Sequence, residues 1–468
     1  MLYIARRLRQ HQRPRCPAPP TGQKGVALLI LLVILVVGTT SLLLNSLSRA
    51  SINTERDRIT AEALAQAREA LIAYAVGAQL PTATSSSGTT TKRPGDLPCP
   101  DRTNDGSADT PCDMQADRIG RLPWKTLGLP DLRDGHGERL WYAISINFKN
   151  SARTTCNFTD RSGCLNSDTR GTITVRNSSG VVINDGSNPD AFTPSGVIAV
   201  VISPGAVLKR QGATALQDRS ALGESNPENY LDIGNGEDNA AFTDSSSTDG
   251  FINGPILDAE GNAIVNDRLI TITYQDLMPK LEKRVAVEVL KCLVDYASAN
   301  RGRYPWAADI GNSGNGDYVD ISGHFFGRIP DTPFVPTSSD SGGGMSSLWS
   351  TSCNIFSTSG WWLNWKEQVF YGLANAYKPT NPPLSPATNA CDTSGACLVV
   401  NPPSATANKQ VVVIVAGKRL SGVASGQPRA SAGDKGNVTN YLESPNQGGA
   451  AFSQGSPTSI FNDAAVYR

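Results

Sequence analysis

One stretch near the front of the chain limits what the rest can be. Residues 26–44 read VALLILLVILVVGTTSLLL, 19 residues without a charge. As a helix they would cover about 28 Å, close to the hydrocarbon thickness of a bilayer. Six cations (Arg6, Arg7, Arg9, Arg13, Arg15 and Lys24) and no acid occupy the first 25 residues, and Arg49 follows the run. The positive-inside rule then predicts a single-pass protein with a cytoplasmic leader and an exported body after Leu47. A cleaved signal peptide fits less well, because the run is long for such a segment and ends without a small-x-small site.

The helical pattern continues past the apolar run. No proline falls between Pro20 and Pro81. Ile59, Ala63, Ala67, Ala70 and Tyr74, joined by Leu64 and Leu71, recur at three- and four-residue spacing and form one apolar stripe. The spacing predicts one helix over 26–76, apolar all round in its first half and amphipathic in its second.

On its leader side the run is bracketed by Gln23-Lys24-Gly25 and opens Val26-Ala27-Leu28-Leu29. This resembles a type IV prepilin leader, and the start is similar to those of minor pilins and of the large minor pseudopilin of type II secretion. The resemblance implies cleavage between Gly25 and Val26 by prepilin peptidase, N-methylation of Val26 and retention of the helix. It implies a structural subunit for the assembly, tip or initiation of a type IV pilus or pseudopilus. The implied partners are the bacterial inner membrane, other pilins or pseudopilins, and the peptidase. The body would be periplasmic, or extracellular in a filament. Two positions depart from the major pilins: Val26 replaces Phe, and Ile30 replaces the usual Glu. The second departure fits minor subunits at a tip.

The body contains a weak internal repeat. ALIAYAV (70–76) matches CLVDYAS (292–298), GRLP (120–123) matches GRIP (327–330), and ERLWYAI (138–144) matches EQVFYGL (367–373). Further matches, in the same order, are Cys156 and Cys164 with Cys391 and Cys397, GVIAVVISPG (196–205) with VVVIVAGK (411–418), and NYLD (229–232) with NYLE (440–443). AAF (240–242) with AAF (450–452) and IVNDRL (264–269) with IFNDAA (460–465) complete the series. The expected fold is therefore α+β: a pilin-like long N-terminal helix, transmembrane in its first half, then two tandem helix-plus-antiparallel-sheet modules. The boundaries are a leader at 1–25, a transmembrane or filament-core half-helix at 26–54, and modules at 55–276 and 277–468. The second module opens with a helix over Leu277–Ala299 that Gly302 caps. Polar Ser/Thr/Gly-rich loops are expected at 81–95, 234–262, 335–360 and 379–408.

Nine cysteines occur, Cys16 in the leader and eight in the body. An oxidising compartment would preserve disulfides, although eight cysteines allow 105 pairings. Short spacing favours Cys99–Cys112, Cys156–Cys164 and Cys391–Cys397, which leaves Cys292–Cys353. The repeat supports the second and third pairs independently.

Lys and Arg number 42, as do Asp and Glu. With the leader removed, 36 bases face 42 acids, which argues against a nucleic-acid partner. No G-x-S-x-G, H-E-x-x-H or P-loop occurs. His136 and His324 read as turn residues, so no enzyme is expected. Asp101, Thr103, Asp105 and Asp109, with Gly106, match the opening of a calcium loop, although position twelve is Cys112 rather than Glu. Calcium is the only cofactor the sequence suggests. Trp349, Trp361, Trp362 and Trp365 cluster within 17 residues. They fill a core under a loop or, in a surface adhesin, form a binding face. A membrane-tethered adhesin and a periplasmic enzyme are the competing functions.

Overall fold

A computed structural model describes residues 24–468 except 78–92, 150–163, 188–195, 221–223, 243, 245, 247, 312–317, 322, 334–344, 346–347, 351–352, 354, 357–360, 381–389, 392–394 and 421–425; side chains are described for 31–36 and from 51 onward. The chain separates into two units, Met1–Asp57 and Arg58–Arg468.

The first helix, α1, runs Lys24–Gly77. In the second unit its buried line is Ala63, Leu64, Ala67, Leu71, Ile72 and Ala75, whereas Ile59 at the head of the expected stripe is exposed. The membrane expectation is corrected. Among the described residues no helix is long and apolar enough to cross a membrane. The described apolar side chains of the first unit are the six from Leu31 to Val36 and, farther on, Ile52; the run of six is about 9 Å of helix against a hydrocarbon core of about 30 Å. The transmembrane half at 26–54 and the single-pass inner-membrane placement, with its cytoplasmic leader and periplasmic body, fall with that finding. The leader at 1–25 lies outside the described residues up to position 23.

The remaining elements form two series. The first is β1 (Ile119–Arg121), β2 (Trp141–Ile144), β3 (Val175–Arg176), β4 (Val182–Asn184), β5 (Ala199–Ser203), β6 (Phe251–Ile252) and β7 (Arg268–Ile272). Helix α2 (Tyr274–Ala299) follows. The second series is β8 (Phe326–Arg328), β9 (Val369–Leu373), β10 (Leu398–Asn401), β11 (Ser404–Lys409), β12 (Val411–Val415), β13 (Ala451–Ser453) and β14 (Ala464–Tyr467).

Each series builds the same pair of sheets. A four-stranded antiparallel sheet has the order β1-β2-β5-β7 in the first copy and β8-β9-β12-β14 in the second. A three-stranded sheet has the order β4-β3-β6 or β11-β10-β13, and in both its last pair is parallel. Gly120 faces Tyr142 across β1 and β2, and Gly327 faces Tyr371 across β8 and β9. Two further two-stranded sheets bring the described total to six. Both belong to stretches of 233–265, so the long loop expected at 234–262 contains strands. The one expected at 379–408 contains β10 and most of β11.

The expected fold class is therefore corrected in a second respect. The two copies are not independent modules in series, because they share a core. One buried cluster joins Leu71 of α1, Tyr142 and Val201 of the first sheet, Leu281 and Val285 of α2, and Tyr371 and Val413 of the second sheet. The opposite face of each sheet has its own cluster, around Trp141, Tyr230 and Phe251 in one copy and Phe370, Tyr441 and Phe452 in the other. Burial on both faces is why β5 and β12 read as unbroken apolar runs rather than alternating ones.

Helix α2 is entered through Thr273, whose N–H donates to the Asp276 carboxylate at 2.8 Å. It closes where the Gly302 N–H donates to Ala297 O at 2.7 Å with Gly302 at φ 81°. That geometry favours glycine, as the sequence predicted.

Candidate functional site

The most organised polar structure is a buried node that occurs twice. In the first copy the Gln217 side chain donates to Asp232 at 3.0 Å; in the second, Gln427 donates to Glu443 at 2.7 Å. The side-chain oxygen of each glutamine accepts a backbone N–H, from Leu208 and Leu420 respectively. Asp267 accepts from the Asp232 N–H and from Asn239 Nδ2, both at 2.8 Å. Asp463 accepts from the Glu443 N–H at 3.1 Å and from Asn446 Nδ2 at 3.0 Å. Each asparagine then clamps a strand by both backbone groups, those of Ile252 in one copy and Ser453 in the other.

An arginine closes each node. Arg219 donates to Asn229 O and Gly205 O, and Arg429 to Asn440 O and Gly417 O. Their guanidinium carbons lie 5.0 Å and 4.6 Å from the rings of Tyr230 and Tyr441. A second arginine stacks on the same tyrosines. Arg121 lies 4.0 Å from Tyr230 and 4.4 Å from Trp141, while Arg328 lies 4.4 Å from Tyr441 and 4.0 Å from Phe370.

Two carboxyl groups share each node. Burial pushes the Asp232 carboxyl up to about 6 against the pull of the N–H of Asn266 and the Arg219 charge. Burial and the charge of Asp232 drive Asp267 well above the carboxylate range, and burial and Glu443 do the same to Asp463. Paired acids of this kind can move protons. These four are each no more than 5% exposed, so a substrate has no route to them, and the bonds they accept come from backbone N–H groups and from the side chains of the same node. The nodes fix loops and strands.

The two copies are tied together by the segment after Cys164. Leu165 N–H donates to Asn364 Oδ1 at 2.8 Å, and Asn166 Nδ2 to Asn364 O at 2.9 Å. Asp168 accepts from Gln368 and from Arg429, at 3.1 Å and 3.0 Å. Tyr274, at the start of α2, donates to Ser167 O and to Glu282.

The residues matched to a calcium loop do lie together. Asp101 is buried and accepts the N–H groups of Gly106 at 2.6 Å and Asp105 at 3.2 Å. Asp109 accepts those of Arg102 and Thr103, at 2.6 Å and 2.9 Å, and Asp105 that of Ser107. The Thr103 hydroxyl reaches Asp101 at 3.5 Å and Asp109 at 3.4 Å. Burial raises Asp101 despite its N–H donors, while the Ser107 N–H lowers Asp105. The carboxylates are thus occupied in turning their own loop. Among the described residues no group of three or more His, Cys, Asp or Glu is placed to hold a metal ion.

Beside this loop the first copy has a cleft of about 180 Å³, with Asp101, Arg102, Arg121, Trp141 and Glu224 in its wall. The sequence singled out Arg121 only as part of GRLP and did not single out Gln217, Arg219 or Asn239. A Gln-x-Arg pair at 217–219 and again at 427–429 was the available signal. One matched pair was misaligned: Phe452 occupies the place of Phe251, not of Phe242, since each lies on the strand running parallel to β3 or β10.

His136 and His324 are exposed turn residues. Trp361, Trp362 and Trp365 are each at most 3% exposed, so they fill the core. Cys99–Cys112, Cys292–Cys353 and Cys391–Cys397 are bonded. Cys164 is in a disulfide too; Cys156 lies outside the described residues, so the pair Cys156–Cys164 is not described. Gly25 and Val26 lie in α1 with side chains outside the described set. No family model, curated protein or solved structure matches the chain.

Proposed function

We propose that this protein is a structural subunit of a pilin- or pseudopilin-type assembly, and that it works by packing against other subunits rather than by catalysis. The observation that supports this most is the run from Leu31 to Val36. All six are apolar, lie on a helix and are between 48% and 66% exposed. Six consecutive residues go more than once round a helix, so apolar surface faces outward on every side. A chain that leaves such a surface open needs another molecule to cover it. The prepilin-like bracket Gln23-Lys24-Gly25 before Val26 supports the same reading. The duplicated nodes support it differently, because their ionisable groups hold shape and are closed to solvent.

The test is the mature N-terminus. In a host that contains prepilin peptidase, mass spectrometry is expected to find a chain beginning at N-methylated Val26, and Gly25→Leu to abolish that product. A chain that keeps its leader, or is cut elsewhere, in that host would overturn the proposal.

A further inference from the structure

The cleft of the first copy contains two buried donors with nothing to bind. Arg121 is 5% exposed and Trp141 3%, and Arg121 Nε and Trp141 Nε1 have no hydrogen-bond partner. Both residues line the cleft, and they face each other across β1 and β2. The other Arg121 nitrogens reach only carbonyls, Nη2 to Glu224 O at 3.1 Å and Nη1 to Arg139 O at 3.5 Å. Among the described residues Arg121 has no ion pair. Burial lowers its proton affinity, and Tyr230 and the charge of Glu138 offset that only in part. Buried N–H groups are almost always satisfied in folded proteins, by protein or by a ligand.

We propose that this cleft binds a small carboxylate, whose oxygens take the N–H groups of Arg121 and Trp141. An acceptor is required because both open groups are donors. A negative charge is favoured because no carboxylate forms an ion pair with the guanidinium among the described residues. The wall sets the limit on that charge. Arg102 is already paired with Asp117 at 2.5 Å, and Asp101 and Glu224 stand close by. A monoanion balances Arg121, whereas a phosphate dianion adds repulsion from those two acids. The volume of about 180 Å³ admits a small molecule of up to about ten heavy atoms.

The second copy supplies an internal control. Arg328 Nε is likewise without a hydrogen-bond partner, so what sets the first copy apart is the Trp141 N–H: Phe370 takes its place, has no N–H to offer, and still stacks on the guanidinium of Arg328 at 4.0 Å. Trp141→Phe thus removes the donor with a side chain that the same architecture accepts.

The test uses the full chain with ¹⁵N-labelled tryptophan, which has seven indole N–H groups. Sodium acetate is titrated at constant ionic strength, with sodium chloride and sodium phosphate as comparisons. One indole resonance, missing from Trp141→Phe, is expected to move saturably with acetate and much less with phosphate or chloride. Trp141→Phe is expected to melt within a few degrees of the parent. Ala116→Phe, at the exposed rim of the cleft, leaves both donors in place and is expected to abolish the shift, so the result does not depend on one variant. No saturable shift with acetate, an equal shift with chloride, or an undiminished shift in Ala116→Phe would each overturn the proposal.

Discussion

Glu282 is a carboxyl group inside a hydrophobic helix face, fully buried on α2. Burial raises it to about 8, although hydrogen bonds from Tyr274 and Ser167 and the charge of Arg429 pull it down; Asp168 pushes it further up. The folded form therefore prefers the proton more than the unfolded chain does. Its contribution to stability is complete below about pH 4.5 and is lost as the pH rises through about 8. The melting temperature is expected to fall between pH 5 and pH 9. Glu282→Gln, which keeps an acceptor for Tyr274 but cannot ionise, should flatten that fall. A residual slope is expected from Asp320, which burial also raises to about 8. An unchanged slope in the variant would refute this assignment. Glycine matters at the same scale. A Cβ on Gly327 would stand 2.0 Å from Ala308 O, and one on Gly120 2.8 Å from Asp101 O. The glycine of GRLP and GRIP is thus required by a backbone crossing, a reason that the two tetrapeptides alone do not reveal.

Among the elements, α2 is held by two different means. Its inner face packs on β12 and β14. Cys292 joins it to Cys353, 61 residues on, within the tryptophan-rich stretch. In the chain-entropy account, closing a loop of that length stabilises by about 4 kcal/mol. Replacing both cysteines by serine is expected to cost about that much in denaturant unfolding, whereas opening Cys391–Cys397, a separation of 6, should cost clearly less. Equal losses would argue against loop entropy as the dominant effect. Much at this scale was legible in the sequence. The C-terminal end of α2, the runs that became β5 and β12, and the described disulfides follow from periodicity, spacing and, for Cys292–Cys353, elimination, whereas α2 begins at Tyr274, three residues before the expected Leu277. The two-stranded pairs inside 233–265 were not legible, because a strand of two or three residues has no period to detect.

Over the whole of Arg58–Arg468, duplication and independence part company. The copies repeat in strand order, register and buried hydrogen bonds, yet the inner faces of both large sheets and both helices drain into one cluster. Asp168 and Asn364 tie them further with polar bonds across the boundary. Residues 277–468 expressed alone would expose the apolar faces that the first copy covers. They are expected to bind a hydrophobic dye and to unfold without a cooperative transition, while 58–468 unfolds in one step. A sharp, dye-free transition for 277–468 would show that each copy is self-sufficient.

The sequence by itself determined the elements and their duplication, since periodicity, glycine placement and cysteine spacing are local properties that survive in any context. Only the tertiary structure decided which partners the buried groups would find. Asn239 and Asn446 stand at different distances, seven and three residues, after the matched NYLD and NYLE, yet they do one job because two strands approach them in the same way. The calcium-like loop turned its carboxylates inward on its own N–H groups, and Arg121 was left with an open donor beside a cleft. Long-range approach sets those outcomes, and a one-dimensional pattern contains no distance between residues that are far apart along the chain.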